Sequence, residues 1–347
     1  MTAPARLGIT MGDPAGVGPE VIARALARPE VAASCRAVVI GDRSVMAAAL
    51  ELVASPLRLH AVADVAGCRF APGTLECLDL ANVDAATLAR GAVSAAAGRA
   101  AYAYVETGVA LCRAGRIDGI VTAPINKEAL AAAGHQHTGH TEILARLSGT
   151  EDFAMLLMGR ELLVIHVTTH VALRRVPDLV TRERVHRVIR LAQRTLEGLG
   201  RPRGRIAVCG LNPHAGEDGL FGDEERREIV PAIEAARREG LDVHGPLPAD
   251  TLFSRARGGE FDIVVAMYHD QGHVPVKTLG FTYDEASGTW TGLSGVNVTV
   301  GLPFLRVSVD HGTAFDRAWK GVANPESMVE AIEVAGRMLA ARAPAPP

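Results

Sequence analysis

The chain has 347 residues, 48% hydrophobic and 22% charged, which suits a globular protein of two domains or one large one. A formal net charge of −3 with mixed signs, and only 4% aromatic residues, argue against a nucleic-acid footprint and against stacking platforms for single strands. The five cysteines are scattered and never spaced Cys-x-x-Cys, so neither a disulfide framework nor a cysteine zinc site is expected. No secretory or membrane-spanning run is visible, and the expectation is a cytoplasmic protein with no membrane partner.

Strand-like and helix-like runs alternate in chain order. Residues 7–11 read as a strand, 12–19 as a glycine-rich loop, and 19–27 as a helix opened by proline at its first position. The loop's glycines and the helix start behind it would suit an anion cradle, although such turns also arise for backbone reasons alone. Residues 37–40 form the next strand and 44–53 the next helix, followed by a long helix at 94–114, a strand at 117–121 and a helix from His140 to 147. Further strands centre near Met155, Val164, Val208, Val264, Val298 and Val307, with helices at 182–199, 224–239 and 326–341. This alternation predicts a doubly wound α/β sheet with helices on both faces and a loose tail at 343–347.

Three histidines stand just past apolar runs: His170 after 162–169, His214 after 205–213, and His269 after 262–268. Each run has the length and branched content of a buried parallel strand, so each histidine belongs at or beyond a carboxyl strand end. Ligands bind at that edge in open α/β sheets. Three imidazoles with one position open make a catalytic rather than a structural metal site. The plain alternative is ordinary hydrogen-bonding histidines, since the chain holds 12. The endings Thr168-Thr169-His170, Asn212-Pro213-His214 and Tyr268-His269-Asp270-Gln271-Gly272-His273 are polar and turn-prone, which favours a built site.

Taken together the motifs resemble the 4-hydroxythreonine-4-phosphate dehydrogenase (PdxA-like) family of vitamin B6 synthesis. The resemblance rests on Thr10-Met11-Gly12-Asp13-Pro14, Thr122-Ala123-Pro124-Ile125-Asn126-Lys127, Thr138-Gly139-His140-Thr141-Glu142, Asn212-Pro213-His214-Ala215-Gly216-Glu217, Met267-Tyr268-His269-Asp270-Gln271-Gly272 and Asp310-His311-Gly312-Thr313-Ala314. It implies the isocitrate/isopropylmalate dehydrogenase-like fold, two α/β domains around a central cleft. The expected division is 1–124 plus 300–347, carrying the cofactor segment, and 125–299, carrying metal and dimer contacts.

By the same resemblance His170, His214 and His269 hold one divalent ion (Zn, Mg, Mn or Co), in a site shared between the subunits of a homodimer. His140, Thr141, Lys277, Asn297 and Arg306 bind substrate. A phosphate and a carboxylate need cations and donors, which Lys277, Arg306 and His140 would supply. Arg306 also lies inside an apolar run, where an unpaired charge is costly. The segment His311 to Asn324, with Asp316, is similar to the adenosine-binding segment of isopropylmalate dehydrogenases. An acidic Asp316 on the ribose favours NAD over NADP, with helix capping the competing role. Trp319 stands where a small residue is expected.

The implied reaction is NAD-linked oxidation of 4-phosphohydroxy-L-threonine with decarboxylation to 3-amino-2-oxopropyl phosphate. Asp270 and Asp250 are candidates for base or orienting carboxylate, with Lys277 a further catalytic candidate. Catabolic relatives acting on 4-phospho-D-threonate, 4-phospho-D-erythronate or a cis-dihydrodiol dicarboxylate are the near alternative, and a three-histidine phosphohydrolase the remote one. Residues 282–294 depart from the family pattern as an insertion with hairpin chemistry, suited to a lid or dimer arm or to a tolerated surface excursion. His137 and His273 are further polar residues beside this set.

Overall fold

The computed structural model describes residues 4–136, 139–159, 161–285, 289–291 and 295–342. His137, residues 286–288 and 292–294 of the insertion, and the tail 343–347 lie outside them. The strands in chain order are β1 (Arg6–Thr10), β2 (Arg36–Gly41), β3 (Arg58–Val62), β4 (Thr74–Asp79), β5 (Gly119–Thr122), β6 (Ala154–Met158), β7 (Leu163–His166), β8 (Ile206–Cys209), β9 (Val243–Leu247), β10 (Ile263–Ala266), β11 (Thr282–Asp284), β12 (Thr289–Thr291), β13 (Val296–Val300) and β14 (Leu305–Ser308).

The chain divides into two compact units, one running to Glu151 and resuming at Leu302, the other Asp152–Gly301. The first boundary thus falls after Glu151 instead of after residue 124. The reason is packing: helices Lys127–Ala132 and His140–Ser148 lie against the long helix Ala95–Arg113 of the first unit.

In the first unit β3-β4-β2-β1-β5-β14 form one parallel array. Its central strands are buried on both faces, as continuous runs such as Leu7-Gly8-Ile9-Thr10 require. Side chains start the helices: Asp42 accepts from Ser44 N at 2.8 Å, and Ser94 accepts from Ala97 N at 3.1 Å.

In the second unit the order is β13-β6-β7-β10-β8-β9. β7, β10, β8 and β9 are parallel, while β6 runs antiparallel to both β13 and β7. Leu157, Val164, Ala207, Val264 and Leu252 pack in its core. Within the insertion, β11 and β12 pair antiparallel with Tyr283 opposite Trp290, the hairpin expected from its turn residues.

Candidate active site

The three histidines follow three strands that are immediate neighbours, β7, β10 and β8. Two side chains tie those strand ends together. Thr168 Oγ1 donates to Met267 O at 2.8 Å, joining the segments after β7 and β10. Gln271 accepts from Met267 N at 2.7 Å and donates to Gly210 O at 2.8 Å, joining the segments after β10 and β8. Gln271 stands in two of the quoted motifs, but its bridging role was not assigned, because nothing in its spacing distinguishes a staple from a surface amide.

His269 opens the helix His269–Gly280 in place of the expected turn. Its Nδ1 donates to Asp270 Oδ1 at 2.7 Å, and Asp270 is held below its ordinary pKa chiefly by that hydrogen bond. In the neutral ring this leaves the lone pair on Nε2, as in a metal-ready imidazole oriented by a carboxylate. The rings of His170 and His269 lie 5.5 Å apart. Behind them His166 is fully buried, and burial first, with His273 second, brings its pKa down to about 3.

His214 sits differently. It and Ala215, Glu217 and Asp218 all have positive φ (55°, 56°, 42° and 55°), a left-handed run costing roughly 1–2 kcal/mol per residue. Buried Glu225 anchors the entry to that run, accepting from Leu211 N at 2.8 Å and Asn212 N at 2.7 Å. The ring contact of His214 is with Phe221, at 6.5 Å. Among the described residues of one chain, no group of three or more His, Cys, Asp or Glu is arranged to hold a metal ion. The donor chemistry suits a divalent ion, and one chain brings two of the three imidazoles together.

Lys277 is two turns beyond His269 on the same helix, on the same face by its i, i+4, i+8 spacing, with Nζ 6.0 Å from the Phe281 ring centre. Asn297 lies on β13 opposite Leu157. Asp250 is exposed on the helix Ala249–Arg257.

The first unit has its own concavity at the carboxyl ends of β5 and β14. A cavity of about 130 Å³ is lined by Thr122, Lys127, His140, Ser308, His311 and Gly312, among others. Arg306 on β14 is 5% exposed and donates to Thr122 Oγ1 at 2.7 Å. Burial draws its pKa down to about 9, opposed by Glu142, so it stays charged at neutral pH. His140 Nε2 is buried with no hydrogen-bond partner. Burial, and next the charge of Arg306, push the imidazole well below its usual pKa. His140 is therefore neutral, so of the cations and donors expected from Lys277, Arg306 and His140 it offers a ring nitrogen and no charge; Thr141 follows it in the first turn of its helix. Lys127 and Thr122 were quoted only as ends of one motif and given no site role from sequence, although Thr122 ends a strand as the three histidines follow theirs.

Of the cofactor segment, His311 and Asp316 are exposed. No helix begins at Asp316, so helix capping does not occupy it. Asn324 caps instead, its Oδ1 accepting from Glu326 N at 2.9 Å at the start of Glu326–Arg342. Trp319, at φ 60°, is buried, donates from Nε1 to Pro14 O at 3.0 Å, and is covered by the Arg90 guanidinium 4.2 Å from its ring centre. It pins the segment to the glycine-rich loop. That loop is not an anion cradle. Residues 12–19 are buried, and Asp13, Ala15, Gly16 and Val17 donate their amides to Pro124 O, Asp13 Oδ1, Asp13 O and Thr313 O.

Two α/β units whose polar side chains gather at carboxyl strand ends define an α/β protein with ligand-binding edges. Residues 33–335 match the family described as Pyridoxal phosphate biosynthetic protein PdxA. A D-threonate 4-phosphate dehydrogenase of Cupriavidus necator is 51% identical, covering 97% of this chain and 98% of the relative. The crystal structure of a 4-hydroxythreonine-4-phosphate dehydrogenase from Burkholderia phymatum is 48% identical with a TM-score of 0.85, covering 97% of this chain and 99% of that one. A β-decarboxylating dehydrogenase from Thermococcus kodakarensis, 16% identical with a TM-score of 0.50 over 96% of this chain and 82% of that one, shares the fold alone. The chain belongs to the PdxA family and is an oxidoreductase with the isocitrate/isopropylmalate dehydrogenase-like fold.

Proposed function

We propose that the protein oxidises a 4-phosphorylated four-carbon hydroxy acid with a nicotinamide cofactor, assisted by a divalent ion, and that decarboxylation follows. The observation that carries the metal assignment is the pairing of His170 with His269, whose Nδ1–H is engaged by Asp270. His170, His214 and His269 would hold the ion. Once bound, the ion would supply Lewis acidity at the substrate hydroxyl and the nicotinamide a hydride acceptor.

The chain's own residues act around that chemistry. Arg306, buried and charged, offers a fork to a phosphate or carboxylate, and Lys277 a second positive charge. Asn297 and Thr141 add neutral hydrogen-bonding groups. His140 holds a neutral ring nitrogen toward the substrate. Asp270 orients His269, which favours it as the supporting carboxylate and leaves Asp250 as the candidate base. His311, Asp316 and Asn324 are assigned to the cofactor, with Asp316 favouring NAD over NADP.

The assembly proposed is a homodimer in which a second copy completes the metal site. One chain joins two of the three imidazoles, and exposed apolar residues flank all three positions: Val171 and Leu173, Leu220 and Phe221, and Val274 at 61% exposure.

Two substrates compete. The relative from Cupriavidus necator favours 4-phospho-D-threonate, and the family description with the Burkholderia phymatum structure favours 4-phosphohydroxy-L-threonine. Measuring kcat/KM for NAD reduction on both, on 4-phospho-D-erythronate and on an aromatic dihydrodiol tests the reading. A clear maximum on either of the first two supports it, and a maximum on the dihydrodiol contradicts it.

A further inference from the structure

Behind His269 lies a chain of imidazoles that the reaction as described does not use. His273, one turn further along the helix, stacks on His269 with ring centres 3.7 Å apart and planes 10° apart. His166, the last residue of β7, meets His273 with its Nε2 3.2 Å from His273 Nδ1. Each ring is also anchored by a backbone carbonyl. His166 Nδ1 is 3.1 Å from Met155 O, and His273 Nδ1 is 3.1 Å from His269 O.

Those two carbonyls decide the tautomers. A carbonyl only accepts, so both Nδ1 atoms carry hydrogen. The single hydrogen on His273 Nδ1 is then shared between His269 O and the lone pair that the Nδ1-protonated tautomer leaves on His166 Nε2, a three-centre bond consistent with both assignments. His166 is fully buried and His273 is 4% exposed, so water does not compete. The space for this arrangement is set by Gly272: a Cβ there would lie 2.4 Å from His166 Nε2 and 2.6 Å from Val164 Cγ1.

We infer that His166 and His273 are positioning residues, a pair of fixed tautomer whose flat outer ring sets the plane of the His269 imidazole from behind. Asp270 fixes the same ring through its edge, so His269 is held on two sides. The tautomers follow from the protein alone; the consequence for a bound ion rests on the metal reading above.

The test uses the full-length protein labelled with ¹⁵N-histidine. In the metal-free state at mildly alkaline pH, two-bond proton–nitrogen spectra should show His273, identified by the signals that vanish in His273→Phe, as a single species protonated on Nδ1. An Nε2-protonated or averaging ring overturns the inference. Cobalt(II) affinity is then measured by competition with a chelator for wild type, His273→Phe and His273→Leu, alongside their melting temperatures. His273→Phe keeps a flat ring and should hold cobalt within a few-fold, whereas His273→Leu should lose roughly 10–100-fold, the usual cost of losing an outer-shell support. Lower melting temperatures in both variants with unchanged cobalt affinity would mean a merely structural role and overturn the inference. If wild type takes up no cobalt, the metal reading fails, and the His273 tautomer alone decides the pairing.

Discussion

The two units handle their polar residues in opposite ways. At the edge of the second unit the histidines are accessible: His170 and His214 are exposed, and the His269 side chain is 32% exposed. The cost there is met in backbone strain, the left-handed run around His214, and in supports such as Glu225, Gln271 and His273. In the first unit no residue lining the cavity is left-handed, and the cost is desolvation: Arg306 is buried, His140 is neutral, and Asp13 is 0% exposed with Oδ2 unpartnered. On the proposed roles, the edge that would receive a cation keeps its lone pairs within reach of water. The cavity that would grip an anion buries its charge, which makes that charge strong when met.

Breaking the first unit should cost most in stability. Trp319→Ala removes a buried ring, its bond to Pro14 and its contact with Arg90, and should lose roughly 3–5 kcal/mol in urea unfolding. Loss within experimental error of zero would separate the glycine-rich loop from that ring. Breaking the second unit should cost most in catalysis. His269→Ala should lower kcat/KM about a thousandfold, about 4 kcal/mol, with the unfolding midpoint nearly unchanged.

Asp13 gives a pH-dependent contrast. Burial, against the opposing bond from Ala15 N, raises its pKa from 3.8 to about 6. The folded protein binds that proton more tightly than the unfolded chain, so ionisation opposes folding. The penalty is absent below pH 3.8, grows through the interval up to about 6, and is full above it. Asp13→Asn should therefore gain up to about 3 kcal/mol over wild type at neutral pH, with the gain vanishing in acid. A constant difference across pH would contradict the assignment. The smallest effect sharpens the other side: Asp270→Asn should cost about tenfold in metal affinity if Asp270 only orients His269, and far more in kcat than in affinity if it is the base.

Much of the second unit's edge was legible because β7, β8 and β10 are buried on both faces and therefore read as unbroken apolar runs. β3 and β9 are not, being partly exposed strands with His60, His244 and Gly245 inside them. The helix His269–Gly280 was hidden by Gly272 and Pro275, both poor helix formers. The glycine-rich loop misled in an instructive way. Its glycines spell an anion cradle locally, but its amides are taken by Pro124 and Thr313, partners far along the chain that no local pattern reveals. Arg306 was legible as a buried charge from the apolar run around it, while the loss of charge on His140 was not, because it follows from burial and from Arg306 in the fold.

The central claim is that an ion at the histidine edge serves oxidation at a phosphorylated hydroxy acid. Stripping the protein with a chelator and following NADH formation on 4-phospho-D-threonate and 4-phosphohydroxy-L-threonine tests it most directly. Turnover should vanish on stripping and return when zinc, magnesium, manganese or cobalt is restored. Undiminished turnover in the stripped protein, or none on either substrate with any of the four ions restored, would contradict the account.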